Sequence, residues 1–228
     1  MSRSHNKGIY GFGERLFHPR NDLWLALILN LVATVFYFGV RPEFRLVDPI
    51  VPFAVVTVIE LIAVGLYLTK RIKQNQSVGY ALVVLHCFFL ASSVLTLIIR
   101  LPEQPSTMKH EVLQSGACLW LINVIAFTIW YWRFDGGGPH IREAPDCGHV
   151  SFLFPQLLMT SEERKAMEQA NWTPGIIDYL FLAFNTSTAL SPTDTAVIGR
   201  AAKFTTMIQS LIALAIVVVV IGRGVNVM

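Results

Sequence analysis

Residues 178–195 read DYLFLAFNTSTALSPTDT, and a long apolar run follows at once. Thr186, Ser187, Thr188, Ser191, Thr193 and Thr195 put six hydroxyls in this stretch, with Asp194 among them. So many hydroxyls between two apolar stretches need water, an ion or one another. Hydroxyl and carbonyl oxygens can replace part of a cation's hydration shell, and a carboxylate ring gathers cations at a mouth. The candidate ion or solute pathway is therefore Thr186, Thr188, Ser191, Thr193 and Asp194. Pro192 disfavours helix at Ser191, and non-helical backbone at membrane depth is tolerated only where it is buried in protein or lines a wet cavity. The same residues also fit an ordinary turn in which Ser191, Thr193 and Asp194 cap helix ends, Asp194 for the last span.

Three further polar residues interrupt apolar runs. Glu60 lies near the middle of the second run, where an acid is costly and faces the bundle interior. It is either a deeper counter-charge on the pathway or a hydrogen-bonded fastener between helices. His86 can relay protons or simply pack, and Asn123 reads as interhelical glue. In the long loop, His140, Cys147 and His149 stand near Asp135 and Asp146, but their spacing matches no zinc pattern. The sequence has no G-x-S-x-G, H-E-x-x-H or P-loop, and Gly136–Gly138 lacks the lysine of a phosphate cradle. No catalytic residue, cofactor or metal is expected, and the chain reads as a non-enzyme.

These residues must be held by membrane helices. The chain has 228 residues, 54% hydrophobic and 14% charged, against about 25% charged in soluble domains. A hydrocarbon core of about 30 Å needs about 20 apolar residues in a helix. Runs of that kind cover residues 23–40, 50–69, 80–99, 116–132 and 204–221. A sixth stretch, 175–190, is short for a span and carries Asp178 and hydroxyls. The expected fold is an all-α polytopic bundle of about six membrane segments, with the fifth readable as either a span or a re-entrant segment.

Basic residues orient the bundle, since Lys and Arg collect in cytoplasmic loops. The tail carries Arg3, Lys7, Arg15 and Arg20, and the turn after the second run carries Lys70, Arg71 and Lys73. This places the N-terminus in the cytoplasm of a multi-pass inner-membrane protein, with residues 1–22 as a basic tail and 23–40 as an uncleaved anchor. Four transmembrane helices then occupy 23–133, a cytoplasmic loop 134–173, and the hairpin with the last span 174–228. In the loop, Thr160 and Glu163 fit a capping box opening a short helix over 160–168. Phe152, Leu153, Phe154, Leu157, Leu158 and Met159 either pack under the bundle or rest on the membrane surface. Cys87, Cys118 and Cys147 form no C-x-x-C, and no disulfide is expected.

Two resemblances add to this reading. Residues 184–194 follow the pore-loop pattern F-x-T-x-T-T-V-G-Y-G-D of potassium channels without a gap: Phe184, Thr186, Thr188 and Asp194 coincide, and Leu190 is conservative. Ser191, Pro192 and Thr193 stand where that pattern has Gly-Tyr-Gly, whose glycines let successive carbonyls point into the pore. From about Trp130 onward, a second set of features stands out. They are Trp130-Tyr131-Trp132, Gly136–Gly138, Asp178-Tyr179-Leu180-Phe181, Thr193-Asp194, Arg200 and Val225-Asn226. On these the chain resembles a group of small bacterial inner-membrane proteins known only as a domain of unknown function. That resemblance implies a multi-span inner-membrane protein and supplies no activity.

The leading expectation is channel-like or permease-like passage of a monovalent cation through the hairpin, with Glu60 deeper. One subunit encloses little, so a pore there needs a homo-oligomer around an axis. The alternative is a non-conducting protein that docks partners through 134–173. The lipid bilayer is an expected partner and nucleic acid is not.

Overall fold

A computed structural model describes residues 22–225, apart from 70, 104, 106, 107, 139–149, 168, 171 and 193. The described residues form eight α-helices and one two-stranded ribbon. In chain order the helices are α1 (Asp22–Phe38), α2 (Ile50–Leu68), α3 (Ile72–Arg100), α4 (Lys109–Phe134), α5 (Pro155–Leu158), α6 (Ser161–Ala166), α7 (Ile176–Thr188) and α8 (Arg200–Val225). The strands are β1 (Phe152–Leu153) and β2 (Ala196–Val197).

Four helices are long and apolar enough to cross a membrane: Ile50–Leu68, Lys73–Glu103, His110–Phe134 and Arg200–Arg223. That is the signature of a multi-pass membrane protein. α1 is apolar but has 17 residues, about 26 Å of helix. α2 turns Ile50, Val51, Val55, Val58, Leu61 and Leu68 outward. In water such a surface would be an aggregation hazard. Against lipid it is matched.

Local chemistry sets the ends of the elements. Asp48 accepts from the Ile50 N–H at 2.9 Å and opens α2. α2 and α3 form a hairpin that the Asn75 amide fastens by donating to the Ala63 carbonyl at 2.7 Å. α4 stops at a turn in which Gly136 (φ 58°) and Gly138 (φ 98°) take backbone angles that disfavour any side chain. The capping box at α6 forms as expected: Thr160 accepts from the Glu163 N–H, and Glu163 accepts from the Thr160 N–H at 2.7 Å.

α4 runs through the middle and packs on α1, α3, α7 and α8, whereas α2 packs on α1 and α3. The largest core lies at the end of the bundle marked by Asp22. There Tyr131, Trp132, Phe152, Phe154 and Tyr179 are buried together, with ring centroids 4.9 Å apart for Tyr131–Phe152 and 5.2 Å for Phe154–Tyr179. The segment 152–159 therefore divides. Phe152 and Phe154 pack under the bundle, while Leu157 and Leu158 are exposed.

Candidate functional site

The hairpin begins and ends at one end of the bundle. Its start is fixed by Asp22, whose carboxylate accepts from the Ile176 N–H and from Trp132 Nε1, each at 3.1 Å. Asp178 adds the N-terminal cap by accepting from the Gly175 N–H at 2.7 Å. Its return is fixed by the ribbon, where Phe152 pairs with Val197 and Leu153 with Ala196 in antiparallel register. The Ser151 carbonyl accepts from the Ile198 and Gly199 N–H groups at 2.9 and 3.2 Å, and the Ser151 N–H donates to Asp135, which also accepts from Tyr179 Oη at 2.7 Å. Residues 22, 132, 135, 176 and 197 thus share one end, while α8 finishes at the other, where Arg223 Nη2 donates to the Pro105 carbonyl at 2.7 Å. The chain therefore leaves and rejoins the same end of the bundle over residues 176–197.

α7 goes only partway in. Its Ser187 meets Gln209, nine residues into α8 and so about 14 Å from that helix's start. Here lies a buried polar knot. Gln209 uses both ends of its amide: Oε1 accepts from Tyr131 Oη at 2.6 Å, and Nε2 donates to the Ala183 carbonyl at 2.8 Å and to Ser187 Oγ at 2.9 Å. Asn123 Nδ2 donates to Ser187 Oγ at 3.3 Å, which confirms Asn123 as interhelical glue. Tyr131 stood out only as part of the Trp130-Tyr131-Trp132 run, and Gln209 not at all, although a lone amide in an apolar run is a visible signal.

The hairpin residues themselves fall into two groups. Thr186 is buried and donates to its own helix at the Leu182 carbonyl, 2.8 Å away. Thr188 is exposed and donates to the Phe184 carbonyl at 2.9 Å. Ser191 and Asp194 are exposed beyond the helix end; Asp194 accepts from Thr195 Oγ1 at 3.2 Å. Asp194 does not cap α8, which starts six residues later at Arg200. Thr193 lies outside the described residues, as do His140, Cys147 and His149. Leu190, just past α7, holds φ 57°, unusual for a branched side chain. An open cavity of about 640 Å³ lies between the returning limb and α8, lined by Leu190, Ser191, Pro192, Thr195, Lys203 and Ser210 among others.

Glu60 belongs to a different cluster. It is 6% exposed on α2 and faces the Asn30 side chain of α1. Yet Glu60 Oε1 and both polar atoms of the Asn30 amide complete no hydrogen bond. On the far side of Asn30, its carbonyl lies 3.3 Å from His86 Nε2 and accepts from Thr34 Oγ1 at 2.8 Å. His86 Nδ1 lies 2.9 Å from the Leu82 carbonyl. Glu60, Asn30, Thr34 and His86 thus connect α1, α2 and α3. Since α2 packs on α1 and α3 while α7 packs chiefly on α4 and α8, Glu60 and the hairpin sit in different parts of the bundle.

Cys87 and Cys118 are free thiols, and no group of three metal-binding side chains occurs among the described residues. Comparison with protein-family models, curated proteins and solved structures finds no match for the chain.

Proposed function

We propose that this is a non-enzymatic multi-pass inner-membrane protein that passes a monovalent cation, with the α7 hairpin as the element that meets the ion. The observation that carries this reading is the half-helix. α7 starts at the Asp22 end, stops at the depth of Ser187 and Gln209, and the chain returns to the same end. A half-helix pointing its C-terminus into a membrane protein aims unsatisfied carbonyls and a partial negative charge at the interior, which suits a cation. Thr188 and Ser191 add oxygens at that end, and Asp194 supplies charge on the returning limb. The Asp22 end is the cytoplasmic one on the basic-residue argument, which puts the far end of α8 outside. A complete pathway requires several copies around an axis.

The unpaired polar atoms at Glu60 and Asn30 favour a second reading. A buried acid with a spare oxygen, beside an amide and near an imidazole, is a site that takes up and releases a proton. In that reading α1, α2 and α3 are the working part and the hairpin is scaffold.

Cation flux into liposomes carrying the purified protein tests both. Under the first reading Asp194→Asn lowers potassium or sodium flux while folding stays intact. Under the second, Glu60→Gln abolishes proton flux and Asp194→Asn changes nothing. No flux of any monovalent cation or proton from folded protein defeats both. The loop 134–173 would then be the place to seek a docking partner.

A further inference from the structure

Among the described residues, Arg133 is the buried charged residue of the Asp22 end that the proposed function does not use. It closes α4 and is 2% exposed. Its guanidinium lies over the Trp132 ring, 5.3 Å from the centroid, and against the backbone of Gly79 on α3, where a Cβ would overlap it. Nε and Nη2 are sealed from solvent and meet no acceptor among the described residues. The neighbouring acids are engaged elsewhere: Asp22 with Trp132 and Ile176, and Asp135 with Ser151 and Tyr179. Tyr80 donates its hydroxyl proton to the Arg133 carbonyl at 2.9 Å, and its oxygen accepts from neither Nε nor Nη2.

Nε and Nη2 are not an arbitrary pair. They lie on the same edge of the planar group, so their N–H bonds are parallel and spaced for the two oxygens of a carboxylate or phosphate. A buried cation with that edge empty is costly, and the Trp132 face recovers only part of the cost. The first turn of α3 carries no acid, and Arg71 and Lys73 are exposed beside it; the acids of this end, Asp22 and Asp135, hold other donors. α3 starts at Ile72, so Gly79 lies about 10 Å into that helix, a depth that suits a headgroup rather than an acyl chain.

We propose that the α3–α4 seam at Arg133 and Gly79 binds a phosphate group, received on the Nε–Nη2 edge. A phospholipid headgroup and a free phosphate compound share that chemistry, and the test separates them. The inference is independent of the ion-passage reading.

Thermal unfolding of the full chain in a neutral detergent, with and without added probe, is the experiment. Phosphatidylglycerol at about a hundredfold over its dissociation constant should raise the Tm on the order of 5 °C, and diacylglycerol of the same chains should not. Arg133→Gln should weaken binding at least about tenfold. Arg133→Lys should fail to restore it, because an ammonium keeps the charge but loses the fork. Gly79→Ala, which displaces the guanidinium, should weaken it as well. A shift given by inorganic phosphate, and lost in Arg133→Gln, supports the site and assigns it to a soluble phosphate. Equal stabilisation of the native chain by phosphatidylglycerol and diacylglycerol overturns the proposal even if no variant folds. So does the absence of any shift with either phosphate probe, or an undiminished shift in Arg133→Gln.

Discussion

The two polar clusters inside the bundle differ in how fully their buried polar atoms are paired. At the α4–α7–α8 contact, Gln209 spends both ends of its amide and Tyr131 spends its hydroxyl, and Asn123 keeps one amide oxygen over. At the α1–α2–α3 contact, Glu60 and Asn30 face each other with polar atoms left over. A buried network that is satisfied fixes one packing arrangement, and one that is partly satisfied stores a cost that only a function recovers. The first cluster thus reads as the anchor that sets the depth of the hairpin. The second has exchangeable valence. The comparison separates where the bundle is held from where it has polar capacity to spare.

The sharpest way to break this contrast is at the anchored end. Asp135→Ala leaves the Ser151 N–H and the Tyr179 hydroxyl without their buried acceptor. A loss of about 2–5 kcal/mol is expected, measured by denaturant unfolding in detergent micelles. A loss below about 0.5 kcal/mol would mean that water reaches this end and that the hairpin is not pinned there. Next comes Gln209→Leu, which strands the Tyr131 hydroxyl and is expected to cost about 1–3 kcal/mol, with greater protease access to the hairpin loop. A stable variant with an unchanged digestion pattern would show that apolar packing alone holds α7 at its depth.

The second cluster should respond with the opposite sign. Glu60→Leu removes an acid whose spare oxygen no described residue satisfies, so the same unfolding assay should read a gain of about 1 kcal/mol or no change. A loss of 2 kcal/mol or more would make Glu60 a structural fastener and erase the difference between the two clusters. Leu190→Gly sharpens the comparison on a smaller scale. Glycine accepts the left-handed backbone that follows α7, and relief of about 1 kcal/mol is expected if the hairpin tip keeps that turn.

The sequence carried the spans clearly because an apolar run long enough for a bilayer has few other readings. It also placed the hairpin, through a short polar stretch between two apolar ones. It did not carry the return of the hairpin to its starting end, because that depends on Phe152 and Leu153 pairing with a strand more than forty residues away. Two-residue strands leave no periodic signal. Nor could it foresee the tasks of Asp22 and Asp135. Asp135 reads only as a carboxylate near His140, Cys147 and His149, and Asp22 as the last residue before the first apolar run, yet each collects donors from distant elements. Arg133 is the clearest case. At a helix end beside aromatic residues it reads as an ordinary basic flank, and only the approach of α3 at Gly79 buries it. Glu60 was recognisable as an anomaly, but its neighbour Asn30 was not, because pairing across helices requires the α1–α2 register.

The smallest effect is expected outside the bundle, at the capping box of α6, and it checks that the loop is organised by local chemistry alone. Glu163 accepts from the Thr160 N–H at 2.7 Å and from Thr160 Oγ1 at 2.9 Å. These bonds, the backbone one foremost, hold its carboxyl below the usual value of 4.5. A depressed folded pKa means that the carboxylate favours the folded turn above the unfolded value. That contribution fades as pH falls through the lowered one. The start of α6 should therefore fray only below about pH 4.5, with the Glu163 side-chain resonance titrating below 4.5 in the native chain. Thr160→Ala removes only the hydroxyl partner, so it should bring the midpoint partway back, while spectra of the bundle helices stay unchanged. A native midpoint at or above 4.5 would show that the box does not persist in solution. The segment after the ribbon would then owe its course to Phe152 and Phe154 packing under the bundle rather than to its own cap.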